Sequence, residues 1–239
     1  MSEIAAAWDR GSASYQAAAA LPTDVAHYGP GLPTEADLRL LGDVKGRRVL
    51  ELGCGGAQAS ISFAKQGATA IGVDFSVAQL DHARGLCEAE EVRVELRHGD
   101  MADLAFLRAD SIDIVFSAFA FGYVEDLNRV FRRVHRVLKV GAPLVFSLPH
   151  PAARLLPGSG SGVVGPGPRS YFDKRPYESS WGGVRSPAYH HTFSDLYMGL
   201  ARSSYRVDLV LEPEPMLGGA GGVAMVPPAL IIRARKEGN

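Results

Sequence analysis

The sequence predicts an α/β protein built on a doubly wound, mostly parallel sheet of seven strands. Three observations predict it. Short apolar runs alternate with helical patterns from Arg47 onward, a glycine-rich turn follows the first run, and acidic residues stand where the early runs end. Parallel strands cannot be joined by tight turns. Each return needs a crossover, usually a helix, so this alternation favours a parallel sheet with helices on both faces. The crossovers are then right-handed.

The elements follow in order. Residues 1–44 are Ala-rich, then turn-rich around Tyr28-Gly29-Pro30-Gly31, with helical pattern over 4–19 and 34–41. Arg48–Leu52 is a short apolar run before glycines and reads as a buried strand. Residues 57–66 read as a helix stopped by Gly67, and Ala70–Val73 as a second strand. Ser76 can cap the next helix, where Val77, Leu80, Ala83 and Cys87 share a face. Val92–Leu96 and Ile112–Phe116 are the third and fourth strands. Asp126 can cap a helix with Leu127, Val130, Phe131, Val134 and Leu138 on one stripe, ended by Gly141. Pro143–Leu148 is the fifth strand. Residues 150–187 are rich in Pro, Gly and Ser and read as a long irregular lid. Regular structure resumes with a helix over Thr192–Ser203 and strands over Tyr205–Leu211 and Ala229–Arg235, around the loop Gly218–Gly222. This divides the chain into an N-terminal helical cover, 1–44, and a sheet domain, 45–239, with a lid insertion at about 150–190.

Composition excludes several classes. With Lys+Arg 25 against Asp+Glu 26, the chain has no basic field to hold a polyanion, so nucleic acid is not the expected partner. No run approaches the roughly 20 apolar residues that span a bilayer, and the start MSEIAAAWDRGS lacks the build of a secretory signal. Two cysteines, Cys54 and Cys87, make no disulfide framework, and a reducing cytoplasm is the expected location.

The sharpest motif is Glu51-Leu-Gly53-Cys-Gly55-Gly56 at the end of the first strand. Open α/β sheets bind ligands beyond the carboxyl ends of their strands, and a GxG turn lets the backbone approach closely. Asp74 ends the second strand, where a carboxylate can accept hydrogen bonds from both hydroxyls of a ribose. A dinucleotide site needs a third glycine, and Gln58 stands there instead. Phosphate-loop chemistry lacks its G-x-x-x-x-G-K-[ST] motif altogether. A phosphate-free nucleoside requires neither. Asp100 follows the third strand, placed to accept from an exocyclic amine, and Met101 can pack on a ring face. Gly160-Ser-Gly162-Val-Val-Gly165 matches the dinucleotide string, but it follows no strand and meets Pro166, so it reads as lid.

Over residues 45–148 the chain resembles the class I S-adenosylmethionine-dependent methyltransferases, in the small-molecule branch related to quinone-biosynthesis enzymes. VLELGCGGA, IGVDFS and HGDMADL look like that family's first three motifs, and Ser117-Ala-Phe119 and LKVGAPLVFS look like later segments. The resemblance implies a Rossmann-like sheet with an antiparallel last strand. It implies S-adenosylmethionine as cofactor, with Glu51, Gly53 and Gly55 around its methionine part. Asp74 would bind the ribose, Phe75 and Met101 would sandwich the adenine, and Asp100 would face its amine. Ser117 and Phe119 would flank the methyl donor, and Tyr15 would lie near its carboxylate. Tyr28 and Gln79 complete the expected cofactor set. Ala57 departs from the family, which often has Gly there.

Methyl transfer from a sulfonium needs a nucleophile held close and in line. A hydroxyl acceptor must also lose a proton, a task suited to His. His150 follows the fifth strand and is the candidate base, with His190 or His191 orienting the acceptor. The expected reaction is O-methylation of a small molecule. N- or C-methylation, or binding of the cofactor without methyl transfer, are the alternatives. Tyr171, Phe172, Tyr177, Trp181, Tyr189 and Tyr197 suit an apolar or aromatic acceptor, with the run ending at Tyr123 as a pocket floor. No metal is expected, because adjacent His190 and His191 would point apart in an extended chain. A homodimer is one assembly open to the chain, whose oligomeric state the sequence does not determine, and no membrane partner is expected.

Overall fold

The computed structural model describes residues 2–29, 31–155, 169–214 and 226–238. The predicted lid string 160–165 and the glycine loop 218–222 lie outside them. Among the described residues, no helix is long and apolar enough to cross a membrane.

Strands β1 (Arg48–Leu52), β2 (Thr69–Asp74), β3 (Glu95–His98), β4 (Ile114–Ala118) and β5 (Pro143–Pro149) pair in parallel. β8 (Tyr205–Leu211) and β9 (Ala229–Lys236) complete a seven-stranded sheet in the order β3-β2-β1-β4-β5-β9-β8, with β9 antiparallel to both neighbours. The family resemblance implies this arrangement. β6 (Tyr177–Trp181) and β7 (Val184–Ala188) form a separate hairpin.

The pleat sorts side chains into two cores. Leu50, Leu52, Val115, Phe146 and Ile232 enter one, with α5 (Leu127–Val137) and α6 (Phe193–Arg202) packed on it. Val49, Phe116, Val145 and Ile231 enter the other, beside Phe63 of α3 (Gln58–Lys65) and Tyr28. Both faces of the sheet are therefore dry, which is why its strands are apolar runs rather than alternations. α5 buries Leu127, Val130, Phe131 and Val134, each worth about 1.5–3 kcal/mol against exposure. Asp126 caps it by accepting from Arg129 N.

Several local expectations shift. The helix expected over 34–41 shrinks to α2 (Glu35–Leu38), because Arg39 adopts a left-handed conformation (φ 50°). In α4 (Val77–Ala89) the capping Ser76 accepts from Gln79 N, and the buried face carries Gln79, Leu80 and Ala83 while Val77 is exposed. β3 starts three residues later than expected and β4 two residues later. α5 stops at Val137, ahead of Gly141, which turns the chain into β5 with φ 77°. The stretch expected to be irregular holds the β6–β7 hairpin. Gly182 and Gly183 have φ of 55° and 81°, the pair of positive angles that a two-residue hairpin turn demands.

α1 (Glu3–Ala19) packs against β7 and α4. Ser2 caps it, its side chain accepting from Ala5 N. The N-terminal helix and the hairpin together lie over the carboxyl ends of the central strands, because both line the cavity described next.

Candidate active site

The glycine turn begins where β1 ends. Gly53 N and Cys54 N both donate to Val73 O, at 2.8 and 3.0 Å, so the turn is sewn to the adjacent strand. Gly53 has φ 68°, and a Cβ there would sit 2.3 Å from Ala120 Cβ, so no other residue fits. Ala57 holds a left-handed φ of 59°, which explains why glycine is common there in the family the sequence resembles. Cys54 packs over Gly72, and burial pushes its thiol well up, so it serves as turn packing rather than as a nucleophile.

Asp74 anchors the turn from β2. One carboxylate oxygen accepts from Gly55 N and the other from Ser76 N, both at 2.8 Å. Each oxygen keeps a further lone pair, and Asp74 lines the cavity. Burial raises its pKa to about 6. Glu51 is raised to about 7 by burial, and it turns away from the cavity to accept from Ser60 N (2.8 Å) and Ser60 Oγ at the start of α3. It braces the helix that follows the turn.

The space over the glycine turn, its open mouth included, amounts to about 810 Å³. Its floor is Gly53, Gly55, Asp74, Phe75, Gln79 and Met101. Its roof is aromatic. Trp8 and Tyr15 of α1 meet edge-on with centroids 4.9 Å apart, Trp8 meets Tyr123 at 5.3 Å, and Tyr15 meets Trp181 at 4.9 Å. Tyr177 and Ser179 of the hairpin complete this wall, and Ser179 is hydrogen-bonded to the Tyr123 hydroxyl. Burial raises Tyr123 to about 12 and Tyr15 further still, so both hold their protons. Phe119 enters at the boundary of floor and roof with φ 55°, its N–H donating to Ser147 O at 2.9 Å.

The expected site residues thus separate into two groups. Tyr15, Gly53, Gly55, Asp74, Phe75, Gln79, Met101 and Phe119 line one cavity. Tyr28 does not. It is fully buried against Phe116, with its hydroxyl donating to Glu35. Asp100 folds back to accept from Ala102 N at 2.8 Å, and Ser117 donates to Leu52 O at 2.9 Å inside the sheet. Neither lines the cavity, nor does Glu51. The histidines also stand apart. His150 Nδ1 accepts from Ala152 N (3.1 Å) and Nε2 donates to Glu212 (2.9 Å), so both ring nitrogens are engaged, while its neighbour Pro149 lines the cavity. His191 donates to Val124 O at 2.8 Å and is held neutral by burial, and His190 donates to Tyr171 O at 2.7 Å. Of the expected acceptor aromatics, Tyr177 and Trp181 reach the cavity, whereas Tyr171, Phe172, Tyr189 and Tyr197 do not. Trp8, Pro149, Ser179 and Ala188 were not expected there. The signal for Trp8 was its spacing of seven from Tyr15, two turns along one helix face.

Floor and cofactor fit one another. A carboxylate with spare lone pairs, a buried Gln79 Nε2–H without a partner and two apolar side chains face one space, as a nucleoside with neighbouring hydroxyls requires. Comparisons with known proteins agree. A family described as "Methyltransferase domain" matches residues 49–141. An S-adenosylmethionine-dependent methyltransferase from Mesorhizobium loti superposes with a TM-score of 0.69 at 27% identity, over 83% of this chain and 95% of that one. An uncharacterised protein of Haemophilus influenzae is 27% identical over 83% of this chain and 85% of its own length. A ubiquinone biosynthesis O-methyltransferase of Hahella chejuensis is 38% identical over 102 residues, and the match spans only 43% of that enzyme's length. This sheet, this turn and these relatives support a class I S-adenosylmethionine-dependent methyltransferase.

Proposed function

We propose that this enzyme methylates an oxygen of a small, uncharged acceptor with an aromatic or otherwise apolar body. The carrying observation is the roof. Trp8, Tyr15, Tyr123, Tyr177 and Trp181 offer ring faces and neutral hydroxyls, and Asp74 is the one charged side chain among the described lining residues. Such a wall favours a flat apolar molecule and gives no cation to hold a phosphate or carboxylate on the acceptor. The name of the O-methyltransferase matched above over 102 residues supports oxygen as the target.

Bound S-adenosylmethionine supplies a methyl group already activated on a sulfonium. The chain's own residues then have two tasks, to hold the acceptor in line and to keep water out. Proton removal falls to no lining group. Tyr123 keeps its proton, and Asp74 is tied to Gly55 N and Ser76 N. The acceptor that suits this site is a hydroxyl acidic enough to ionise in water, such as a phenol or an enol. His150 as base would require its ring to leave Glu212 and turn inward.

The test is release of S-adenosylhomocysteine from S-adenosylmethionine with a panel of neutral phenols and enols, against aliphatic alcohols and amines of similar size. Turnover confined to the acidic hydroxyls is expected. Turnover of amines or alcohols in preference would overturn the reading.

A further inference from the structure

Three glutamines from three helices stand end to end beside the glycine turn. Gln58, the first residue of α3, donates from Nε2 to Gln16 Oε1 of α1 at 2.6 Å. Gln16 in turn donates from Nε2 to Gln79 Oε1 of α4, also at 2.6 Å. All three are buried, with 8%, 7% and 1% of their surface exposed. The last one ends in the cavity. Gln79 lines it, and its Nε2 is buried without a partner. The turn leaves room for this row, since a Cβ on Gly56 would come within 2.7 Å of Gln16 Nε2.

The row has one polarity. In each link a donor meets an acceptor, and reversing a single amide would set like poles 2.6 Å apart. The three therefore share one orientation, and each link polarises the next. α1 is tied to the same floor a second time. Seven residues before Gln16, Asp9 accepts from Ser76 Oγ (2.7 Å) and Ala78 N (3.1 Å) at the start of α4. The neighbouring edge of α1 carries Trp8 and Tyr15 into the roof.

We propose that Gln16 and Gln58 are positioning residues, which hold Gln79 with its Nε2–H toward the cavity to donate to an oxygen of S-adenosylmethionine, and so join seating of α1 to cofactor binding. This rests on the cavity being the S-adenosylmethionine site. The oxygen belongs either to the cofactor's carboxylate or to its ribose.

Calorimetric titration of the full chain with S-adenosylhomocysteine tests it, with 5′-methylthioadenosine as a second probe that keeps the ribose and lacks the carboxylate. Affinity for S-adenosylhomocysteine is expected to fall about tenfold in Gln16→Leu and about threefold in Gln58→Leu, as for loss of one buried hydrogen-bond partner directly and at one remove. Loss for both probes assigns the ribose, and loss for S-adenosylhomocysteine alone assigns the carboxylate. In the unmodified chain the product should also slow amide exchange along α1, and in Gln16→Leu it should not. Gln58 does not line the cavity and bonds Gln16 rather than Gln79, so a purely structural role for Gln16 predicts no effect there. Unchanged binding by Gln58→Leu overturns the relay, and it remains the deciding variant if Gln16→Leu fails to fold. Failure of the unmodified chain to bind either probe overturns the cofactor reading and the relay with it.

Discussion

The floor and the roof of the cavity are built by different means. The floor comes from a continuous stretch, Gly53 to Met101, and is held by main-chain hydrogen bonds to Asp74 and Val73. The roof draws residues from α1, from the turn at Phe121–Tyr123 and from the hairpin, and is held by ring packing. Main-chain geometry accepts little change, whereas ring packing can be rearranged one side chain at a time. The floor therefore suits a ligand shared by a whole family, and the roof suits an acceptor particular to one member.

Substitutions can break this contrast or sharpen it. Asp74→Ala strips the acceptor from Gly55 N and Ser76 N together and should weaken S-adenosylhomocysteine binding at least about 100-fold by calorimetry, since bonds to a charged acceptor are worth about 1.5–3 kcal/mol each. Gly53→Ala combines a left-handed φ with a steric clash on Ala120, and urea unfolding should show a loss of about 2–3 kcal/mol. The matching change in the roof is milder and of another kind. Trp181→Ala should cut turnover about tenfold through its lost packing on Tyr15, with product affinity held within about twofold. If product affinity fell equally, floor and roof would not be separable.

Acidity separates the two regions as well. Burial raises both Glu51 and Asp74 above the ordinary carboxylate range, to about 7 and about 6. At these two groups the folded state holds more protons than the unfolded one between about pH 4 and 7, so their contribution to stability falls as pH rises through that window, against the opposite contribution of His27, His135 and His191, whose pKa values burial lowers. Cofactor affinity should move the opposite way and climb as Asp74 ionises near pH 6. Denaturant midpoints and calorimetry across pH 5–8 check both slopes, and Glu51→Gln should flatten only the first. The smallest effect belongs to His150→Ala, which should leave turnover within about twofold because the ring faces Glu212. A large loss would return the base to His150.

Much of the floor was legible because local spacing determines it. A strand, a glycine turn, and an acid at the end of the next strand place Gly53, Gly55 and Asp74 together with no knowledge of the rest. Glu51 and Asp100 share that strand-end logic, yet their carboxylates turn back to nearby N–H groups, and Ser117 likewise bonds within the sheet. Strand-end position alone cannot tell a side chain that faces a ligand from one that satisfies its neighbours. The roof was less legible for the reverse reason. Trp8 meets Tyr123, and Tyr15 meets Trp181, across separations in sequence that no periodicity reports. One signal was present and missed: Gly182-Gly183 between Tyr177–Trp181 and Val184–Ala188 is a hairpin turn written in the sequence. The histidines drew attention through chemistry, but tertiary partners at Glu212, Val124 and Tyr171 decided their orientation.

Phe119 carries a consequence for how such an enzyme can change. A bulky residue in the left-handed region costs about 1–2 kcal/mol relative to its relaxed backbone, and glycine would remove that cost. Glycine would also empty the space that the ring fills beside Gly29 and in the cavity wall. Relief of backbone strain and loss of ring packing therefore oppose each other at this position, and the packing that is lost outweighs the strain that is relieved. The strained backbone is the cost of keeping an aromatic ring at the boundary of floor and roof.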